Sequence, residues 1–227
     1  LSMPLVDSPL SVAKKVSSLF NKATLFDFAL RKPSRTELDL SDKSLTGEIP
    51  SELGNLKQLK TLELFKNNLS GTIPTKLGKL QKLEELALDC NQLSGSIPAE
   101  LGNLKSLQFL HLQQNKLSGS IPSSFGNLMS LVQLDLSNNQ ISGQIPPQIG
   151  NLPLLVDVYL QNNCFTGTIP HTLIISKSIV FVNCSHNYLD ESEELPQNWK
   201  MVDAFRITEK QKDMVLFLKA FTANNKQ

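Results

Sequence analysis
The chain has 227 residues, and its 22 basic and 21 acidic groups leave a formal net charge of +1. That balance gives no whole-chain case for nucleic acid or an anionic membrane as partner, and an apolar share of 40% argues against a disordered chain. The longest apolar runs, such as Met214–Leu218, fall far short of the roughly 18 residues that a membrane helix needs.

Residues 1–35 form the first segment, with six basic and two acidic groups. The chain starts at Leu1 with no apolar leader, so a processed form or a fragment is the expectation. Asp7-Ser8-Pro9 has the form of a helix start, with Ser8 as cap and Pro9 in the first turn. Val12, Val16, Leu19 and Phe20 then share one face. A helical cap over the start of the next segment is predicted. A basic surface arm carrying Lys14, Lys15, Lys22, Arg31, Lys32 and Arg35 is the other reading.

Residues 36–189 repeat with a constant period of 24. Thr36–Leu59 reads TELDLSDKSLTGEIPSELGNLKQL, and Lys60–Leu83 reads KTLELFKNNLSGTIPTKLGKLQKL. Units beginning at Glu84, Gln108 and Val132 follow without insertion, Val156–Ile179 is degenerate in its second half, and Val180–Leu189 opens a seventh. Positions three and five of each unit are apolar, from Leu38 and Leu40 to Val182 and Cys184. This alternation predicts one short parallel strand per unit, stacked about 4.8 Å apart. Position eight is Asn67, Asn91, Asn115, Asn139, Asn163 and Asn187, with Lys43 in the first unit. A buried amide there would satisfy backbone groups freed where the strand bends away. Glycine at position twelve, Gly47 to Gly167, predicts a turn, and the Ile-Pro pair after it ends ladder pairing. The SELGNL-like stretch suits a short 3-10 or helical turn packed under the sheet. One unit cannot bury its own apolar side, so the unit columns are scaffold and stability comes from neighbour contacts.

Residues 190–227 form the last segment. Thr208 and Gln211 fit a capping box, and Met214, Phe217, Leu218 and Phe221 follow at helical spacing. A C-terminal cap with a helix at about 208–222 is predicted, with Trp199 anchoring the link before it. A partner-docking helix is the alternative.

Function is read from the positions that surround the buried pair. Side chains at positions two, four and six should reach the open face of the strands, with one and seven at its margins. These positions hold nine of the segment's twelve acids, Glu37, Asp39, Asp42, Glu63, Glu84, Glu85, Asp89, Asp135 and Asp157. They hold two of its ten basic residues, Lys60 and Lys66. Phe65 lies among the acids, and Phe109, His111, Gln113, Gln133, Tyr159, Gln161 and Phe181 follow. Scaffold stability does not require aromatics there, whereas binding hot spots are enriched in them. The candidate partner-binding residues are therefore Glu37, Asp39, Glu63, Phe65, Glu85, Asp89, Phe109, His111, Gln113, Asp135, Tyr159 and Gln161. A protein or peptide that is basic where it meets the first three units fits this arrangement.

The sequence offers no nucleophilic triad, no phosphate loop and no metal-spaced Cys/His cluster, so neither catalysis nor a cofactor or metal is expected. Asp39 and Glu63 should sit on neighbouring strands, which alone is weak support for acid–base chemistry. Cys90, Cys164 and Cys184 occupy different unit positions and predict no bridge, which favours a reducing compartment. Asn68-Leu69-Ser70 and Asn183-Cys184-Ser185 are glycosylation sequons, which favour the exterior.

The units resemble the plant-type leucine-rich repeat, LxxLxxLxLxxNxLSGxIPxxLGxL, over about 155 of the 227 residues. In that family the solenoid is the ligand-binding ectodomain of receptor-like kinases and receptor-like proteins. It also forms secreted proteins such as the polygalacturonase inhibitors. The resemblance implies an α/β repeat, a right-handed leucine-rich solenoid whose parallel sheet faces 3-10 or helical turns, with helical end caps. It implies a non-enzymatic module that recognises a protein or peptide on its strand face. A surface-blocking inhibitor of a hydrolase and an intracellular interaction scaffold are the alternatives. The expected location is extracellular or the cell surface for a receptor fragment, and cytoplasmic otherwise.

Overall fold
The computed structural model describes residues 32–190. The cap predicted within residues 1–31, and the helix at about 208–222 with Trp199, lie outside the described residues. Seven strands, Glu37–Asp39, Thr61–Glu63, Glu85–Ala87, Phe109–His111, Gln133–Asp135, Asp157–Tyr159 and Phe181–Asn183, pair in chain order as one parallel sheet. The register steps by one repeat, so Leu38 faces Leu62, Leu62 faces Leu86 and Leu86 faces Leu110. The middle residue of each strand is buried and its two neighbours are partly or fully open, Ala87 excepted. The predicted alternation is what fixes this.

A second run of strands was not legible as such. Thr46–Glu48, Asn68–Gly71, Gln92–Ser96 and Lys116–Ser118 form another parallel sheet, and Ser142–Gly143, Cys164–Gly167 and Tyr188–Leu189 continue the pattern. The sequence shows only a glycine turn here. The constant period brings identical extended segments side by side, and their backbone groups then satisfy one another. The glycine of this segment has positive φ, as at Gly71 (78°), which a side chain rarely adopts. The Pro50, Pro74, Pro98, Pro122 and Pro146 that follow cap five 3-10 turns, Ser51–Asn55, Thr75–Lys79, Ala99–Asn103, Ser123–Asn127 and Pro147–Asn151. In the degenerate sixth unit an α-helical turn, His171–Ile174, replaces them. Gly78 is fixed by space: a Cβ there would collide with the Glu100 carbonyl of the next turn.

The core is one continuous cluster of leucine and isoleucine, with Phe125 and Phe165 fully buried within it. Through it runs an asparagine ladder. Asn67 Oδ1 accepts from Leu45 N–H at 2.9 Å, and its Nδ2 donates to Leu40 and Leu64 carbonyls at 2.9 Å. The same three-way bond recurs down to Asn187, which joins Phe165 N–H to the Leu160 and Cys184 carbonyls. Each amide thus ties its own unit to the one before, satisfying groups that burial would otherwise leave orphaned. Lys43 stands where the first unit lacks this amide, and its own N–H donates to Asn67 Oδ1 at 3.1 Å.

Candidate functional site
All twelve predicted binding residues are open or half-buried. Strand pairing sets them in two columns. Asp39, Glu63, Ala87, His111, Asp135, Tyr159 and Asn183 follow one another across neighbouring strands, as do Glu37, Thr61, Glu85, Phe109, Gln133, Asp157 and Phe181. Phe65, Asp89, Gln113 and Gln161 flank them two residues past position four, in step with Ser137. The sheet spacing puts successive members about 4.8 Å apart.

The first three repeats concentrate negative charge. Burial raises the pKa of the Glu63 carboxyl, and the nearby charges of Asp39, Glu85 and Glu37 push it further in the same direction. Asp39 is held below its ordinary value because the Ser41 hydroxyl and N–H donate to its Oδ1 at 2.6 and 2.9 Å. Lys60 reaches Glu84 at 2.8 Å, but both ends are exposed, at 52% and 39%, so the pair adds little stability. Lys66 Nζ lies 5.9 Å from the Phe65 ring centre.

Further along, the face becomes aromatic and enclosed. The Phe109 and His111 rings stack with centroids 6.4 Å apart at 6°, and Tyr159 meets Phe181 at 5.0 Å and 41°. Asp135 lies between His111 and Tyr159 in its column. Burial raises its pKa despite the Ser137 N–H that donates to Oδ1 at 2.9 Å. Tyr159 is also raised, chiefly by burial and then by Asp157 and Asp135. The amide oxygens of Gln113 and Gln161 are sealed from solvent and accept no hydrogen bond among the described residues.

The sequence reading missed three features of this region: the small Ala87 within a column of large side chains, the Ser137 cap on Asp135, and the two orphan acceptors. The cap had a signal, because Asp39-Ser41 and Asn183-Ser185 repeat the same spacing and the same bond. The orphan acceptors had none.

Cys90 and Cys184 are both held away from the thiolate form. Burial raises Cys90, whose Sγ lies 3.2 Å from Gln114 Oε1, and pushes Cys184 up to about 12. Cys184 fills a core position, as predicted. The sequon residues differ. Asn68 is exposed on the second sheet, whereas Asn183 stands on the strand face with Oδ1 accepting from Ser185 N–H at 3.0 Å.

Comparison with known proteins gives a consistent picture. A family model described as leucine rich repeat matches residues 57–117 and 81–141, and a second of the same description matches residues 36–56. A search of curated proteins finds no match. Among solved structures, the ectodomain of the Arabidopsis thaliana receptor kinase GASSHO1/SCHENGEN3, in complex with CASPARIAN STRIP INTEGRITY FACTOR 2, is 40% identical with a TM-score of 0.66, over 68% of this chain and 18% of that one. The Arabidopsis HAESA ectodomain, bound to an extended IDA peptide hormone, is 40% identical with a TM-score of 0.67, over 69% of this chain and 27% of that one. A plant ice-binding protein is 36% identical with a TM-score of 0.61, over 64% of this chain and 47% of that one. The described chain thus spans a minor part of the length of each.

Proposed function
Because the chain is a plant-type leucine-rich repeat protein, we propose that it is a non-enzymatic module that binds a basic peptide or protein segment on its strand face, outside the cell. The observation that carries this reading is the sidedness of that face. Carboxylates from three successive strands lie close enough for Asp39, Glu85 and Glu37 to raise the pKa of Glu63, and aromatic pairs follow on the same columns. Such a surface draws a cationic segment in and then offers it apolar area. The sheet is preformed, so little ordering entropy is lost on its side of the complex. The solved relatives named above include two receptor ectodomains in complex with a peptide hormone or integrity factor, and peptide binding by this chain is proposed in line with them.

The test is charge reversal at Glu63→Lys with Asp89→Lys, read by surface capture of a basic peptide at low and high salt. The on-rate should fall about tenfold or more at low salt, and the difference should shrink once the Debye length drops to about 3 Å near 1 M. Capture that is identical for the two proteins at every salt concentration would sink the reading.

A further inference from the structure
Steering and seating a cation are separate tasks, and the strand face divides them. The acids of the first repeats crowd one another. Asp135 instead has His111 and Tyr159 on the strands to its two sides, and its Oδ1 already accepts one N–H, from Ser137. The repeats on either side of it supply Gln113 and Gln161. These occupy equivalent positions, and their backbones bracket Ser137 through the bonds Gln114 N–H to Ser137 O at 3.0 Å and Asn138 N–H to Gln161 O at 2.9 Å. Both amide oxygens are shut from solvent and meet no donor among the described residues. A buried acceptor left unpaired is a standing cost in the free protein, and a bound donor removes it. A terminal amide turns about a soft torsion, so a group arriving at the face can meet these oxygens. Tyr159 and His111 stand on the strands beside Asp135, and the Tyr159 ring packs against Phe181 at 5.0 Å.

We propose that Asp135, Gln113, Gln161 and Tyr159 form a subsite for one arginine guanidinium of the partner. The inference rests on the proposed basic-partner reading and deepens it. A carboxylate with a neutral amide acceptor in the repeat on either side asks for a ligand with several donors in a fixed fan. Guanidinium supplies five N–H donors in one plane and stacks on an aromatic face, while a lysine ammonium is a strongly hydrated point charge. The carboxylate, out of bulk water, then takes the charge-assisted bond that sets the off-rate.

The experiment measures capped tetra-arginine and capped tetra-lysine peptides against the same protein by calorimetry. Tetra-arginine should bind wild type about tenfold tighter or more. Asp135→Asn keeps an Oδ1 acceptor for Ser137. It should weaken tetra-arginine about 10- to 100-fold and bring the two peptides to near parity. The double variant Gln113→Leu with Gln161→Leu should also lose the arginine preference while its melting temperature rises, a pairing that a merely structural role would not produce. Glu63→Gln with Asp89→Asn should weaken both peptides alike and keep their ratio. If Asp135→Asn preserves the ratio while the acidic-patch variant weakens binding, the subsite falls and the basic-partner reading stands. If neither peptide binds wild type, both fall.

Discussion

Asn115→Ala tests what holds the solenoid together. The amide accepts Leu93 N–H at 2.9 Å and donates to Leu88 O at 3.0 Å and Leu112 O at 3.2 Å. These losses are unequal. Leu88 O keeps Asn91 Nδ2 at 3.1 Å, and Leu112 O keeps Asn139 Nδ2 at 3.0 Å. Each carbonyl goes from two asparagine donors to one, which together costs about 1 kcal/mol. Leu93 N–H loses this side-chain acceptor, and orphaning a buried donor costs about 1–3 kcal/mol. The expected loss is about 2–4 kcal/mol, or roughly 30- to 700-fold in the unfolding constant. Denaturant unfolding followed by far-UV circular dichroism measures it as a midpoint shift at constant slope. Lys82→Ala is the control: it removes an exposed bond from Nζ to Gln58 Oε1 at 2.6 Å and should cost under about 0.5 kcal/mol. If the two variants lose the same stability, the ladder is not the tie between repeats.

Two further outcomes follow from the site. The Glu63 carboxyl has a pKa raised by burial and by its acidic neighbours, so the folded chain holds that proton more tightly than the unfolded one. Its contribution is full below the unfolded value and is lost as pH rises through the raised value; Glu63→Gln should therefore melt higher than wild type at about pH 7, with the gap closing towards about pH 3. When the chain is secreted from a eukaryotic cell, Asn68 should carry an N-glycan and Asn183 should not, as read by peptide mass mapping after enzymatic deglycosylation. Asn68 is exposed and pairs with Thr46, which is also exposed, whereas Asn183 is engaged with Ser185, itself 5% exposed; a glycan found on Asn183 would contradict this.

The scaffold was legible because each column obeys one local constraint. Leucine at positions three and five must be buried, asparagine at eight must satisfy backbone groups, and proline at fifteen cannot donate. The second sheet escaped notice because its residues, such as Ser70, Ser94 and Ser118, have no apolar alternation beyond a single buried leucine. Its pairing comes from translation by one repeat and not from strand propensity. The acidic columns were legible for the same reason as the leucines, since period two fixes which side chains share a face. What position in a column cannot give is the degree of enclosure. Asp39 and Asp135 hold the same repeat position and the same serine cap, yet the pKa of one is lowered and that of the other raised. The difference lies in neighbours: Asp39 is on the first strand, while Asp135 has His111 and Tyr159 on its two sides.

That contrast also explains how one scaffold can carry two kinds of carboxylate for the proposed partner. Strands stack at about 4.8 Å while an extended peptide advances about 3.3 Å per residue. A segment running along the columns from Glu63 to Asp135 crosses three strand spacings, about 14 Å, or four to five of its own residues. The acids around Glu63 therefore act on a different part of the partner from Asp135. Coulomb attraction from these acids is screened by salt and works before contact, so it sets how often the segment arrives. The enclosed carboxylate is screened less, but it gains only from a donor that fits, so it sets how long the segment stays. Changing the number of acids around Glu63 alters arrival for every cation. Changing one enclosed residue alters which cation remains. The repeat architecture lets these two properties vary independently, because each sits on its own strand and the leucine core beneath both is the same.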